Sequence, residues 1–267
     1  MYRQQDGDMT NVRQVGDAVV PYTLDEGLRA RAAIGLVVLA TDQTLEHEWR
    51  QIVTQPGVAS YVSRMPSSPA VDTESLSAIE PDIGHAAGLI VPGIRLDVVA
   101  FGCTSASVVI GEQQVFQHIR AVRPGVACTT PITAATEALR VLGASRVMLV
   151  TPYGTDVNAR TRAHLEACGI GVSRIITFGD ADDNTSARID RNSLLSAILS
   201  YGRAASTDAI FVSCTNLRMV NLIRIAEEAT GKPVISSNSA MAWHALRLAH
   251  ISEKQPQFGQ LFRHTHL

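Results

Sequence analysis

The feature that most constrains this chain is a set of short runs, apolar on both faces, that each break off in small polar residues. Ala209-Ile210-Phe211-Val212 stops at Ser213-Cys214-Thr215-Asn216. The run through Val98-Val99-Ala100-Phe101 stops at Gly102-Cys103-Thr104-Ser105, and Val147-Met148-Leu149-Val150 stops at Thr151-Pro152-Tyr153. A half-exposed strand alternates apolar and polar residues, whereas a strand that is apolar throughout is covered on both faces. That is the position of a central strand in a parallel sheet. Helical stretches separate the runs, and strands alternating with helices argue for an α/β protein.

The spacing predicts strands over 33–39, 59–65, 97–101, 146–150, 172–178, 209–212 and 233–235. Helices are expected over 73–89 with Thr73 as cap, 111–122, 131–142, 157–168, 192–202, 217–230 and 239–249. Residues 44–54 read as a helix or an active-site loop. Pro131 is placed to open its helix and Gly143 to stop it. The pattern restarts near Arg146, which implies two similar lobes. Each has a mostly parallel sheet flanked by helices, with the active site in the interlobe cleft. The expected organisation is a polar N-terminal extension over 1–32, a first lobe over 33–142, a second over 143–249 and a tail over 250–267. The last helix is free to return to the first lobe.

Composition removes several classes of function. The 267 residues carry a formal charge of −2, and no basic block points to nucleic acid. The longest apolar stretches are strand-sized, so no membrane span is expected. The polar N-terminus lacks the apolar core of a signal peptide, and a cytoplasmic location is expected. Four scattered cysteines then read as free thiols. No C-x-x-C pair or histidine spacing suggests a metal. No phosphate loop or dinucleotide fingerprint appears. The expected partner is a small carboxylic-acid substrate, and the chain is expected to form a homo-oligomer.

Cys103 and Cys214 stand out because each ends a predicted strand beside a threonine. Open α/β sheets bind ligands at the carboxyl ends of their strands. A thiol there, among backbone and hydroxyl donors, is expected to have a lowered pKa and to serve as base or nucleophile. A lone buried cysteine is more often a small core hydrophobe, and it is the matching context that separates these two from Cys128 and Cys168. Cys168 reads as core packing on an apolar helix face, and Cys128 as a neighbour of the site. Tyr153 offers a hydroxyl to a carboxylate, or simply packs on a helix. Asn184 orients a ligand or caps a helix. Thr104, Ser105 and Thr215 supply the hydroxyls and backbone donors of an anion cradle.

Several stretches carry a family resemblance: GLVVLATDQT at 35–44, FGCTSAS at 101–107, the segment from CTTPITAATEALR to VTPYGTDVNAR at 128–160, DNTSARI at 183–189, SCTNLR at 213–218 and PVISSNSAMAWHALRLA at 233–249. They resemble the aspartate/glutamate racemase superfamily, in its maleate cis-trans isomerase and arylmalonate decarboxylase branch. Proteins of ectoine-utilisation gene clusters are also similar. The resemblance implies that Cys103 and Cys214 are the two catalytic cysteines. It further implies that Tyr153, Thr104 and Ser105 hold a substrate carboxylate, that Asn184 lies near the substrate and that no cofactor is needed. Maleate isomerases have an asparagine where this chain has Asp42, whose charge would repel a carboxylate unless it is protonated or paired. Asp42 is instead suited to recognise an amino or amide group. Arylmalonate decarboxylases keep only the second cysteine. The expected function is therefore a cofactor-independent isomerase of a small carboxylic acid. The alternatives are an arylmalonate-type decarboxylase or a non-catalytic small-acid-binding protein of ectoine catabolism.

Overall fold

A computed structural model of the chain describes residues 19–267. Of the expected 1–32 extension, residues 1–18 lie outside the described residues. Residues 19–31 run exposed to the first strand, and Arg31 pairs with Glu253 at 2.6 Å.

The first sheet contains β1 (Ala32–Leu39), β2 (Val58–Met65), β3 (Val98–Gly102) and β4 (Ala127–Thr129), all parallel, in the order β2-β1-β3-β4. The second contains β5 (Arg146–Thr151), β6 (Gly171–Thr177), β7 (Ala209–Val212) and β8 (Val234–Ser236), again parallel, in the order β6-β5-β7-β8. The two orders are the same. Of the four inner strands, β1, β3 and β7 are buried along their whole length and β5 from Val147 onwards, as their uninterrupted apolar runs require.

In the first lobe the helices are α1 (Leu45–Ile52), α2 (Thr73–Ala78), α3 (Asp82–Leu89), α4 (Thr104–Ile110), α5 (Glu112–Val122) and α6 (Pro131–Val141). The second lobe adds α7 (Thr155–Ala167), α8 (Asp183–Ser186), α9 (Arg191–Tyr201), α10 (Ile223–Thr230) and α11 (Ser237–Leu248). None is long and apolar enough to cross a membrane among the described residues. α11 is buried on every side from Ser237 to Arg247 and packs on α6 and α1 as well as on β8. It joins the second sheet to the first lobe.

Four expectations need correction. The helix expected over 73–89 is two helices, because Pro81 lacks the N–H that would continue the first. Its cap is Asp72, whose side chain accepts from Ser75 N, and not Thr73. The helix expected over 217–230 starts only at Ile223. The buried residues Leu217, Met219 and Val220 belong to a loop that packs on α1. Finally, a helix begins directly after Cys103, in Thr104-Ser105-Ala106-Ser107-Val108-Val109-Ile110, where serine and β-branched residues gave no helical signal.

Candidate active site

Both sheets reverse their strand order between the first and third strands of their lobe, β1 with β3 and β5 with β7. The carboxyl ends beside such a reversal are where α/β sheets open a crevice. In the first lobe those ends lead to Asp42 and Cys103. In the second they lead to Tyr153 and Cys214. All four line one pocket, together with Thr104, Ser105, Thr215 and Asp183. Seven of the eight residues expected at the site thus come together.

Cys103 caps α4, and its Sγ accepts from Ala106 N at 3.4 Å and faces Ser105 Oγ at 3.6 Å. Ser107 Oγ donates to the Cys103 carbonyl at 2.5 Å. Thr104 and Ser105 present the first two N–H groups of that helix, which have no partner within it. The Thr104 hydroxyl meets Ser237 Oγ of the other lobe at 2.8 Å. Gly102 permits the close approach of α1: a side chain there would collide with Leu45 and come within 3.0 Å of Val37 O.

Cys214 lies in a loop, and its Sγ accepts from Asn216 N at 3.4 Å. That loop is held from the first lobe. Gln43 N donates to Asn216 Oδ1 at 2.8 Å, and Thr44 Oγ1 to the Asn216 carbonyl at 2.9 Å. Glu48 Oε1 accepts from Val220 N, and its Oε2 accepts from Asn238 Nδ2, each at 2.8 Å. Burial raises the Glu48 carboxyl to about 7, against the lowering effect of these donors. Glu48 was not foreseen as a site residue. Its signal was present, since Leu45, Glu48, Trp49 and Ile52 share one helical face that is otherwise apolar.

Tyr153 is buried, and its loop is fixed by Asn158 Nδ2 and Thr177 Oγ1, which donate to its carbonyl at 2.8 and 2.6 Å. Burial pushes its phenol well above the ordinary range, and the neighbouring Cys214 and Cys103 add to this. Asp42 holds the turn that leads into α1: Thr44 N and Leu45 N donate to its Oδ1 at 2.9 and 2.7 Å. Burial raises its pKa against these hydrogen bonds.

Two expectations fail here. Asn184 does not line the pocket; it is exposed, and its Oδ1 accepts from Gln43 Nε2 at 2.9 Å. Its neighbour Asp183 takes the place, accepting from Thr41 Oγ1 at 2.6 Å. Adjacent residues of a helix point about 100° apart, so only one of the two faces the pocket. Nor is either thiol acidic. Burial pushes Cys103 up to about 12 and Cys214 well above its ordinary value, and the charges of Asp183 and Asp42 add to both shifts. Donor contacts at 3.4 Å are too few to offset the loss of water. The other two cysteines lie apart from the pocket. Cys128, expected as a neighbour of the site, is buried in β4 and does not line the pocket, and Cys168, expected in the core, is exposed at the end of α7.

A cover closes the pocket. Ser67, Ser68, Ala70 and Val71, then Ser75, Leu76 and Ile79, lie across it. The cover is stitched to the second lobe by Val71 N to Ala181 O and Asp183 N to Pro69 O, both 2.8 Å, and by an antiparallel bridge between Ala70 and Asp182. The remaining cavity volume is only about 20 Å³, roughly the space of one water.

Two lobes of one strand order, with thiols at equivalent strand ends facing one pocket, define a protein of the aspartate/glutamate racemase-like superfamily. Within it, the chain belongs to the arylmalonate decarboxylase family, whose model matches residues 69–262. The chain is 36% identical to the arylmalonate decarboxylase of Bordetella bronchiseptica over 52% of its own length and 58% of that protein. It thus spans little more than half of that relative. It is 28% identical to the maleate isomerase of Nocardia farcinica over 86% of its own length and 95% of that protein. The solved structure of a Nocardia farcinica maleate cis-trans isomerase variant, with a cysteine replaced by serine and a covalently bound succinylcysteine, superposes with a TM-score of 0.80 at 26% identity. That superposition covers 87% of this chain and 98% of the other.

Proposed function

We propose that the protein is a cofactor-independent isomerase of a small carboxylic acid, with Cys103 and Cys214 acting on opposite faces of the substrate. The supporting observation is that both thiols, from equivalent strand ends of different lobes, line one pocket. In racemisation one thiolate takes the α-proton, so that a C–H bond breaks and an S–H bond forms. The electron pair passes into the adjacent carboxylate, and the opposite thiol returns a proton to the other face. In cis-trans isomerisation the Cys103 thiolate adds to the alkene and Cys214 protonates the neighbouring carbon. Rotation about the resulting single bond and reversal of both steps give the trans acid. The succinylcysteine of the Nocardia structure shows that a thiol of that relative forms such an adduct.

In this reading the N–H groups of Thr104 and Ser105, the Tyr153 hydroxyl and Thr215, all from residues that line the pocket, hold the substrate carboxylate, where charge builds as the proton leaves. The cover has to move before an acid can enter, because the closed cavity is too small for one.

A second reading, decarboxylation, is favoured by the family match and by the 36% identical relative. Single replacements of each cysteine by serine separate the two. They are assayed with the full chain on small dicarboxylates and on both enantiomers of small amino and N-acylamino acids. Isomerisation is expected to fall about 10²–10⁴-fold in Cys103→Ser and in Cys214→Ser alike. A decarboxylase would lose carbon dioxide release in Cys214→Ser while Cys103→Ser kept most of it. Tight binding of one acid with no turnover would mark a binding protein instead.

A further inference from the structure

Five of the eleven large apolar side chains that stand exposed among the described residues fall within residues 19–28: Val19, Val20, Tyr22, Leu24 and Leu28. Tyr22 is 81% exposed and Leu24 87%. Single exposed apolar residues are common, but five on one short segment mark an interaction surface. The segment joins the molecule at the amino end of β1, the end opposite to the candidate active site.

The same end of the first lobe is shaped to receive such a segment. Residues entering β3 and β4, with those leaving α11, border a groove of about 690 Å³, among them Arg95, Pro124, Val126, Leu248 and Ile251. α3 and α5 finish at this end of the lobe, and each finishes in an exposed apolar residue, Leu89 and Val122. Arg123 ties the two helix ends together: it follows Val122, and its Nη2 donates to the carbonyls of Gly88, at 3.1 Å, and Ile90. The charges also match. Arg95 is exposed, and its side chain has no hydrogen bond or ion pair among the described residues, whereas Arg31 is already paired with Glu253. The segment brings two acids beside its apolar residues, Asp25 and Glu26, and neither forms an ion pair. It passes the rim without lying on it. Asp25, Glu26 and Arg29 share a hollow with Arg95 and Asp97 of their own chain, yet every residue from 19 to 31 is exposed.

We propose that residues 19–28 of one copy cover the base of the first lobe of a second copy, which returns the same contact, giving a two-fold arm-exchanged dimer. Arm and groove share one rim, so a two-fold axis beside it carries each arm onto the other groove. Such an interface is self-complementary and closes at two copies. Ten extended residues span about 33 Å, enough to cross a lobe whose radius of gyration is about 13 Å. The apolar side chains of the arm cover Leu89 and Val122, and Asp25 and Glu26 meet Arg95. Two reciprocal contacts bring the buried area toward the roughly 800 Å² per partner of a stable interface. The pocket with the two thiols stays open to its own cover, because it lies at the opposite ends of the strands.

Sedimentation of the full chain up to about 100 µM, far above the dissociation constants of standard interfaces, tests the assembly. A dimer is expected. The double variant Tyr22→Asp with Leu24→Asp should raise its dissociation constant at least about tenfold, since two large anchors are lost. Arg95→Glu should weaken the dimer by setting like charges against each other, and adding Asp25→Arg and Glu26→Arg should restore it. All the substituted side chains are exposed, so each variant should keep its fold, which circular dichroism checks. A photo-crosslinking phenylalanine analogue in place of Tyr22, in a mixture of unlabelled and ¹⁵N-labelled chains, should join the arm to residues 89–97 or 122–127 of the other copy. A monomer at 100 µM overturns the proposal. So does a dimer indifferent to the Tyr22 and Leu24 changes, which would use another face. Crosslinks confined to a single copy would mean that the arm folds onto its own lobe, and would overturn it as well.

Discussion

The two strand ends that carry the thiols occupy equivalent places in equivalent sheets, yet they are supported differently. Cys103 is fixed by its own lobe: it caps α4 at once, and Ala106 N and Ser107 Oγ hold it in place. Cys214 enters a loop of buried residues, and α10 starts only at Ile223. Its position is set from across the cleft by Gln43, Thr44 and Glu48 of the first lobe. A shared topology therefore fixes where a functional group emerges, and local contacts decide what holds it there. Moving the lobes apart would leave Cys103 in place and release Cys214.

The largest expected effect sets these two thiols against the one at the surface. Iodoacetamide labelling near pH 8, followed by peptide mass spectrometry, should modify Cys168 at least about a hundredfold faster than Cys103 or Cys214, because reaction needs an accessible thiolate. Rapid labelling of Cys214 alone would show that its loop opens independently of Cys103, and would sharpen the contrast between the lobes.

Glu48 tests the cross-lobe support through pH. Its carboxyl is raised from 4.5 to about 7 in the folded protein. Between those values the folded chain therefore binds more protons than the unfolded chain. Stability contributed by this group is present below about pH 4.5 and is lost as pH rises through 7, by roughly 3 kcal/mol at about 1.4 kcal/mol per unit. In Glu48→Gln that part of the slope should vanish in thermal melts between pH 5 and 8. An unchanged slope would show that Glu48 is not the pin. If Cys214 depends on this pin, the variant should also label faster there than at Cys103.

Tyr153 lies on the side of Cys214, with no phenol at the matching strand end of the first lobe, where Asp42 stands. Tyr153→Phe should lower turnover of whichever acid is converted by about tenfold, the value of one hydrogen bond to a charged group, with little change in melting temperature. A loss of folding instead would make the ring a packing element. The smallest effect concerns the cover. Asp72→Ala removes a helix cap worth about 1 kcal/mol and should speed hydrogen exchange over 73–78. Exchange at α9, capped by Asp190 in the other lobe, should not change.

Much of this was legible along the chain. Val98 to Phe101 and Ala209 to Val212 announce buried parallel strands because nothing in them tolerates water, and the residues that follow announce strand ends. Glu48 was legible in principle from its place on an apolar helical face. Asp183 was not, since choosing between it and Asn184 requires the rotation of a one-turn helix. The helix after Cys103 was hidden by its serines and β-branched residues, which favour helix only once packing supplies the missing stabilisation.

The sequence by itself determined the two-lobed α/β fold and the emergence of a thiol at one strand end in each lobe, because burial pattern and turn chemistry are local properties. Tertiary structure alone decided that the thiols share a pocket, that Asp42 and Asp183 meet there with no cationic side chain among the described lining residues, and that burial raises both thiols above their ordinary range. Those facts depend on desolvation and on charges brought together from residues 41 to 216, and a pattern along the chain does not specify which distant charges will share one dry cavity.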